Sequence, residues 1–116
     1  LQTWFPLFLT EVLDSDRLSL PRLVEKSSYA PAEHYGLTPR KGTLQPGADA
    51  DVILVDPENR TEVREEDMFD QSDFTPFEGR SFVFPELTMS RGDVIYADGE
   101  ITGSEGRGEF LARPSP

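Results

Sequence analysis

Residues 41–57 combine a tight-turn signal with the most apolar strand candidate of the chain. Pro46-Gly47 suits the central positions of a type II turn, because proline presets φ near about −65° and glycine takes the positive φ that other residues resist. Val52-Ile53-Leu54-Val55 is a continuous, mostly β-branched run, which favours a strand covered on both faces. Asp56-Pro57 should end this strand, because proline cannot donate to a β-ladder. The pattern predicts a turn that leads into a buried strand with neighbours in a sheet.

Asp49 and Asp51 lie two residues apart, so in an extended chain their side chains point to the same face. Such a pair could bind a metal, but it lacks flanking oxygen ligands or histidine. The apolar run 52–55 occupies the positions where a calcium loop needs a glycine and further oxygens. We favour the alternative, in which the two carboxylates accept hydrogen bonds from backbone N–H groups at the turn and the strand entry.

The first 37 residues have a helical pattern. Apolar residues recur every three or four positions over 1–14, which predicts a helix whose Trp4 and phenylalanines belong to the core. Ser19 suits the N-cap of a second helix with Pro21 in its first turn. A third, short helix is predicted over 31–35, ending at Gly36.

His34 is the only histidine of the chain. Catalytic use would need a partner base, acid or metal ligand nearby, and none adjoins it on the same helical face. We expect an ordinary histidine at a helix end.

The second half of the chain is predicted to be mostly β. Thr61 could cap a short helical turn over 65–69, and the strand pattern of 81–90 is interrupted by Pro85. Arg91-Gly92-Asp93 can turn the chain into the apolar residues 94–96, and Asp98-Gly99 is a strong hairpin signal. Residues 103–116 predict a flexible C-terminal tail, with Phe110 and Leu111 as candidate docking residues.

Composition excludes several classes of protein. The 22 acidic and 11 basic residues give a net charge of −11, which makes nucleic acid and anionic membranes poor partners. There is no cysteine, and neither a stretch of 18 apolar residues nor a signal peptide is found, so we expect a soluble cytoplasmic protein. The acidity is compatible with an ordinary soluble surface or with adaptation to high salt.

Five stretches of the chain carry a family resemblance. Residues 41–56 are similar to a strand-entry signature found widely near the C-terminus of amidohydrolase-superfamily enzymes. The other four are Ala-Pro-Ala-Glu-His-Tyr-Gly-Leu at 30–37, Phe-Thr-Pro-Phe-Glu-Gly at 74–79, Arg-Gly-Asp-Val-Ile-Tyr at 91–96 and Gly-Arg-Gly-Glu-Phe at 106–110. In this order and spacing they resemble the cyclic amidohydrolases, the family of dihydroorotase, hydantoinase and allantoinase, and the resemblance covers essentially all 116 residues.

The resemblance implies an α+β fragment: the last helices of a (β/α)₈ barrel over 1–37, then the C-terminal strands of a small composite β-sandwich over 38–102, then the tail 103–116. A complete barrel needs about 250 residues, more than this chain has. The start at Leu1 rather than Met also suggests a fragment. The implied parent enzyme hydrolyses a small cyclic amide with two divalent metals, commonly zinc.

The resemblance assigns the metal site to a His-x-His pair, a carboxylated lysine, two more histidines and an aspartate, and a segment with one histidine cannot supply that set. We therefore predict no catalytic, cofactor-binding or metal-binding residue in these 116 residues. The expected partners are the remainder of the parent chain and further copies in a homo-oligomer, because a short chain with an apolar helix leaves apolar area uncovered. The alternative is a stand-alone, noncatalytic module that binds a protein partner through its apolar helix and sheet faces.

Overall fold

The computed structural model describes residues 2–70 and 74–112 and has an α+β architecture. Leu1, which belongs to the predicted first helix, and residues 113–116 of the predicted tail lie outside the described residues. The helical part consists of α1 (Trp4–Asp14), α2 (Leu20–Val24), a π-helical turn (Glu25–Tyr29) and α3 (Ala30–His34).

The helices predicted around Ser19 and over 31–35 are not separate, which corrects the sequence reading. Val24 and Ala30 both have α-helical dihedral angles, and the intervening turn is widened, with the Ala30 N–H bonded to the carbonyl of Glu25. Pro31 gives the reason, since its ring clashes with the carbonyl four residues earlier in a regular helix. A single π-turn relieves that clash without ending the helix. Gly36 follows α3 with φ of +68°, as predicted.

The strands form two antiparallel groups within the described part of the chain. The strand bounds are Val52–Val55 for β1, Thr61–Glu62 for β2, Ser81–Phe82 for β3, Pro85–Ser90 for β4, Asp93–Ala97 for β5 and Glu100–Ile101 for β6. A four-stranded sheet has the order β1-β4-β5-β6, and β2 pairs with β3. The two predicted hairpin turns are confirmed, because Arg91-Gly92 and Asp98-Gly99 have positive φ at both central positions.

β1 is present where the apolar run predicts it, but it is not covered on both faces. It lies at the edge of the sheet, and Ile53 and Leu54 are 40% and 56% exposed. The expectation of a doubly covered strand is therefore wrong for the described residues, because Ile53 and Leu54 are successive residues that point to opposite faces and both are exposed. The apolar sequence predicts a strand that must be buried, but it does not identify the part of the structure that buries it.

Thr61 does not cap a helical turn, because it belongs to β2. The short 3₁₀ turn in this region spans Glu65–Asp67 and follows Arg64, so the predicted turn over 65–69 is shorter than expected. Its first N–H, that of Glu65, donates to the Glu78 carboxylate at 2.7 Å. A carboxylate thirteen residues away thus replaces the local cap.

The core is small and lies where α1 and α2 meet the strand region around Val83. Leu9, Leu23 and Val83 are buried together. The Val83 N–H donates to the Thr10 hydroxyl at 2.8 Å, which satisfies a buried polar side chain. The partly buried side chains packed against this cluster are Phe5, Val12, Leu18 and Val55.

Trp4 and Phe8 are not core residues, contrary to the prediction. They are 43% and 45% exposed and contact each other edge to face, with ring centroids 6.0 Å apart. α1 is apolar on more than one face, and within residues 2–70 and 74–112 the core covers only one of them.

The predicted turn at Pro46-Gly47 is confirmed, because Gly47 has φ of +93° and the Ala48 N–H donates to the Gln45 carbonyl at 3.0 Å. Gly42 has a second constraint besides its φ of +82°. A Cβ at this position would lie 2.6 Å from the Ala32 Cβ and 2.8 Å from the Ser28 carbonyl oxygen. Only glycine lets this backbone approach the π-turn.

These two glycines provide a matched test. Gly47→Ala introduces backbone strain alone, since a Cβ there meets nothing within 4 Å, and should cost about 1–3 kcal/mol. Gly42→Ala adds a clash with backbone and should cost about 1–3 kcal/mol more, the typical cost of overpacking. Urea unfolding measures both, and equal losses of stability would contradict the close approach at Gly42.

Candidate functional site

A group of linked ion pairs surrounds Lys41, just after the helical part of the chain. The Lys41 Nζ lies 2.9 Å from the Asp49 carboxylate and 2.5 Å from that of Asp51. The Lys41 side chain is only 20% exposed. The two aspartates do share a face, as their spacing predicts, and the space between them is filled by an ammonium group.

Local backbone geometry sets up this arrangement. The turn at 45–48 reverses the chain, and the Asp49 N–H donates to the Arg40 carbonyl at 2.9 Å. Lys41 and Asp49 are thereby brought side by side before β1 begins.

A distant turn completes the surroundings of Asp51. The Arg91 N–H, in the β4–β5 turn, donates to the Asp51 carboxylate at 2.9 Å. Next to it the Gly92 N–H donates to the Ala50 carbonyl at 3.0 Å. Asp51 therefore accepts a backbone hydrogen bond, as predicted, but the donor is forty residues away rather than at the strand entry.

The charged contacts continue into a closed ring. Arg40 bonds Asp49 through Nε at 3.0 Å, and its Nη2 lies 3.7 Å from the Glu109 carboxylate. Glu109 also lies 3.4 Å from Arg91 Nη1, and the Arg91 backbone closes the path at Asp51. We call this set the ionic ring; its members are Arg40, Lys41, Asp49, Asp51, Arg91 and Glu109.

The ionisation of the ring follows from these contacts. The hydrogen bond from Lys41, supported by one from Arg40, lowers the pKa of Asp49. Burial alone would raise the pKa of Asp51, but the bonds from Lys41 and the Arg91 N–H lower it overall. Burial would likewise lower the pKa of Lys41, but its bonds to Asp51 and Asp49 raise it. Lys41 stays protonated at neutral pH, so it is suited neither to nucleophilic attack nor to proton abstraction.

The remaining candidate is exposed and outside the ring. His34 is the last residue of α3, as predicted, and its ring contacts that of Tyr35 edge to face at 5.2 Å. Over residues 2–70 and 74–112, no three His, Cys, Asp or Glu side chains are grouped as a metal ion would require. In the same ranges no helix is both long and apolar enough to cross a membrane.

Sequence reasoning identified two members of the ring and missed the other four. The Asp-x-Asp spacing is a local signal, but Arg91 and Glu109 reach it only through tertiary contacts. Arg40 and Lys41 could have been found by noting that they are the basic residues nearest to the turn that precedes Asp49.

An apolar groove lies beside the ring, between the helical part and β1. It has a volume of about 680 Å³ and is open to solvent. Phe5, Val24 and Pro31 line its helical side, and Leu44 and Ile53 line the other. The open edge of β1 thus borders an apolar groove.

The pKa shifts predict how the ring contributes to stability. Lys41→Met keeps the aliphatic stem but removes the charge, so it should lower the midpoint of thermal unfolding at pH 7. The lowered pKa values of Asp49 and Asp51 mean that their stabilisation is present above the ordinary value of 3.8 and is lost as the pH falls through the lowered values. The difference between wild type and variant should therefore shrink in acid below that value.

Lys26→Met is the matched control, because Lys26 is the other lysine and lies 3.8 Å from Glu25 at an exposed position. It should change the midpoint little. Melts that show equal effects for the two substitutions, or a Lys41 effect that persists unchanged in acid, would contradict this role of the ring.

Comparison with known proteins identifies the family of this chain. The model of the amidohydrolase family matches residues 7–95. The D-phenylhydantoinase of Escherichia coli O1:K1 / APEC is 42% identical over 108 residues, which make up 92% of this chain and 23% of that relative.

Solved structures agree with this match. The L-hydantoinase (dihydropyrimidinase) from Arthrobacter aurescens has a TM-score of 0.88 and 39% identity, covering 93% of this chain and 24% of that one. The D-hydantoinase (dihydropyrimidinase) from Thermus sp. has a TM-score of 0.90 and 33% identity, covering 96% and 24%. The chain thus spans about a quarter of the length of the relatives that it matches. Because the family model matches both the helical part and most of the sheet, the chain belongs to the amidohydrolase family.

Proposed function

We propose that this chain is the C-terminal structural segment of a cyclic amidohydrolase that hydrolyses a ring amide of the hydantoin type. One observation carries the proposal: similarity to hydantoinases extends over 92% of this chain but over only 23% of the relative's length. Hydantoin is favoured over dihydroorotate and allantoin because the similar proteins named above are hydantoinases.

The uncovered apolar surface supports a structural role. On α1, Trp4 and Phe8 are nearly half exposed, and on β1 the same holds for Ile53 and Leu54. Complete burial of an exposed apolar side chain contributes roughly 1.5–3 kcal/mol, so covering the exposed half of each of these would contribute about half of that. Contact with the remainder of a longer polypeptide would supply that burial.

The proposed role of each segment follows the family architecture. Residues 1–37 would be the last helices of the barrel, and residues 38–102 would complete a β-sandwich beside it, followed by the segment 103–116. In this arrangement the open face of α1 packs on the barrel. The apolar groove and the open edge of β1 receive other parts of the same polypeptide.

Metal chemistry would belong to the remainder of the polypeptide. The family resemblance implies two divalent metals, commonly zinc, which supply an activated water for ring opening. The residues of this chain do not fit such a site, since Lys41 fills the space between the aspartates and the sequence has one histidine and no cysteine. We therefore assign no catalytic, cofactor-binding or metal-binding residue here.

Further copies are the other proposed partners. The net charge of −11 disfavours binding to nucleic acid and to anionic membranes. A homo-oligomer of the full-length enzyme would bury any apolar surface that the remainder of the polypeptide leaves uncovered. No contact among the described residues favours the stand-alone binding module over this proposal.

The proposal predicts where activity lies. The 116-residue chain should not hydrolyse hydantoin, dihydroorotate or allantoin, with or without added zinc or manganese, because it cannot supply the metal ligands. A polypeptide that also carries the upstream region should hydrolyse hydantoin and lose activity to a chelator. Ring opening can be followed by ultraviolet absorbance.

Two outcomes would contradict the proposal. One is metal-dependent turnover by the purified 116-residue chain that His34→Ala abolishes. The other is a longer polypeptide that folds, binds metal and opens none of the three rings.

A further inference from the structure

The register of the four-stranded sheet places six apolar side chains on one of its faces. Directly opposite residues of an antiparallel pair point to the same face, and successive residues alternate between faces. A bulge at Ile95 keeps Val94 and Ala97 on one face although they are three residues apart. Two rows of opposite residues cross β1, β4 and β5, and we call them the apolar face: Val52, Met89 and Val94 in one row, and Leu54, Leu87 and Ala97 in the other.

The other face of the sheet is in contact with the rest of this chain. Val55, the last residue of β1, points to that other face and packs against the small core. Tyr96 of β5 points the same way, and its ring contacts that of Phe69 edge to face at 6.2 Å. The apolar face therefore points away from the core of this chain.

None of the six side chains of the apolar face is buried. Leu54 and Val94 are 56% and 39% exposed, and the other four are partly exposed. Phe110, a predicted docking residue, is 90% exposed but belongs to neither row. A sheet face that meets water normally carries polar side chains, so two uninterrupted apolar rows indicate a face that is covered in the complete protein.

The two ends of the sheet differ in charge. Because neighbouring strands are antiparallel, the end of β1, the start of β4, the end of β5 and the start of β6 lie together. Four carboxylates lie at this end, and none forms an ion pair within the described part of the chain: Asp56, Glu86, Asp98 and Glu100. Glu100 lies opposite Ala97, so its carboxylate continues one row of the apolar face. The opposite end holds the ionic ring, in which the carboxylates are paired with lysine and arginine.

We propose that a second sheet, formed by the remainder of the same polypeptide, covers the apolar face and places basic side chains opposite these four carboxylates. The contact rests on the proposed function, which supplies the remainder of the polypeptide, and it assigns the face and the charge of the partner. Sheets that pack face to face lie about 10 Å apart with their apolar side chains interdigitated. The Escherichia coli relative is about 470 residues long, since 108 residues make up 23% of it. That length leaves at least about 100 residues besides this chain and a barrel of about 250.

A second copy of this chain would fit the apolar face less well. Stacking two copies would bring together two chains with a net charge of −11 each. In either orientation, the carboxylate end would meet another carboxylate end or the balanced ionic ring, and neither is basic. Like charges brought together oppose association, so charge complementarity favours a different, basic sheet.

Glu100→Lys tests the charge of the partner in the polypeptide that carries the upstream region, with Glu105→Lys as the matched control. Both glutamates are exposed, neither forms an ion pair with another described residue, and both substitutions change the net charge by two. Glu105→Lys should leave the midpoint of thermal unfolding unchanged or raise it, because it relieves the self-repulsion of an acidic chain. Glu100→Lys should lower the midpoint by about 2 °C or more at low salt, and by less in about 1 M KCl. Equal shifts for the two variants would overturn the basic partner.

Thiol labelling tests the cover itself, since this chain has no cysteine of its own. Leu54→Cys, Val94→Cys and the control Glu105→Cys are made in the same longer polypeptide, and labelling is followed by mass spectrometry on the peptide that contains the new cysteine. Both cysteines of the apolar face should react at least about tenfold more slowly than the control, because labelling then requires local opening. Equal rates would overturn the proposal. Protection that disappears on dilution to the monomer would also overturn it, because the cover would then be a second copy.

Neither measurement depends on turnover, which separates this proposal from the proposed function. A longer polypeptide that protects Leu54→Cys and Val94→Cys but opens no ring would contradict the proposed activity and leave the covered face standing. One that hydrolyses hydantoin but leaves both cysteines as reactive as Glu105→Cys would overturn the covered face alone.

Discussion

The pairing of one ammonium group with two carboxylates determines how the two halves of this chain meet. Lys41 follows the helical part, Asp49 and Asp51 precede β1, and Arg91 belongs to the turn between β4 and β5. Removing a charge from water is costly unless it is paired and hydrogen-bonded, so the partly buried Lys41 requires both aspartates to be in place. The turn at 45–48 brings them together, and Gly42, next to Lys41, approaches the π-turn more closely than a Cβ would allow. A backbone constraint and an electrostatic one thus act on the same few residues.

The distribution of apolar side chains is what a short segment of a longer amidohydrolase should have. The core around Leu9, Leu23 and Val83 is small, while Trp4 and Phe8 face outward on the same helix. A helix with two apolar faces is typical of a layer that is covered on both sides. The relatives are about four times as long as this chain, and a longer polypeptide would provide the second cover. The structural role proposed above follows from that unequal coverage.

Charged side chains, like the apolar ones, are unevenly distributed over the structure. The chain carries twice as many acidic as basic residues, yet the ionic ring has three basic and three acidic members. Basic side chains are thereby concentrated where separate segments must be held together. The remaining surface is acidic and self-repelling, and screening by salt would relieve that repulsion while weakening the exposed pairs of Glu109. These two effects of salt on stability oppose each other, and adaptation of this protein to high salt stays a hypothesis.

Features that depend on local backbone preference could be predicted from the sequence by itself. Proline and glycine determine the turn at 46–47, glycine the left-handed positions at 92 and 99, and apolar spacing the helix α1 and the strand β1. The shared face of Asp49 and Asp51 follows in the same way from the period of an extended chain. Tertiary structure alone decided that Lys41 lies between them and that Thr61 belongs to a strand. It also decided that Trp4 and Ile53 are exposed. The physical reason is that turn propensity acts over two or three residues, whereas burial and ion pairing depend on segments that are distant in sequence and adjacent only after folding.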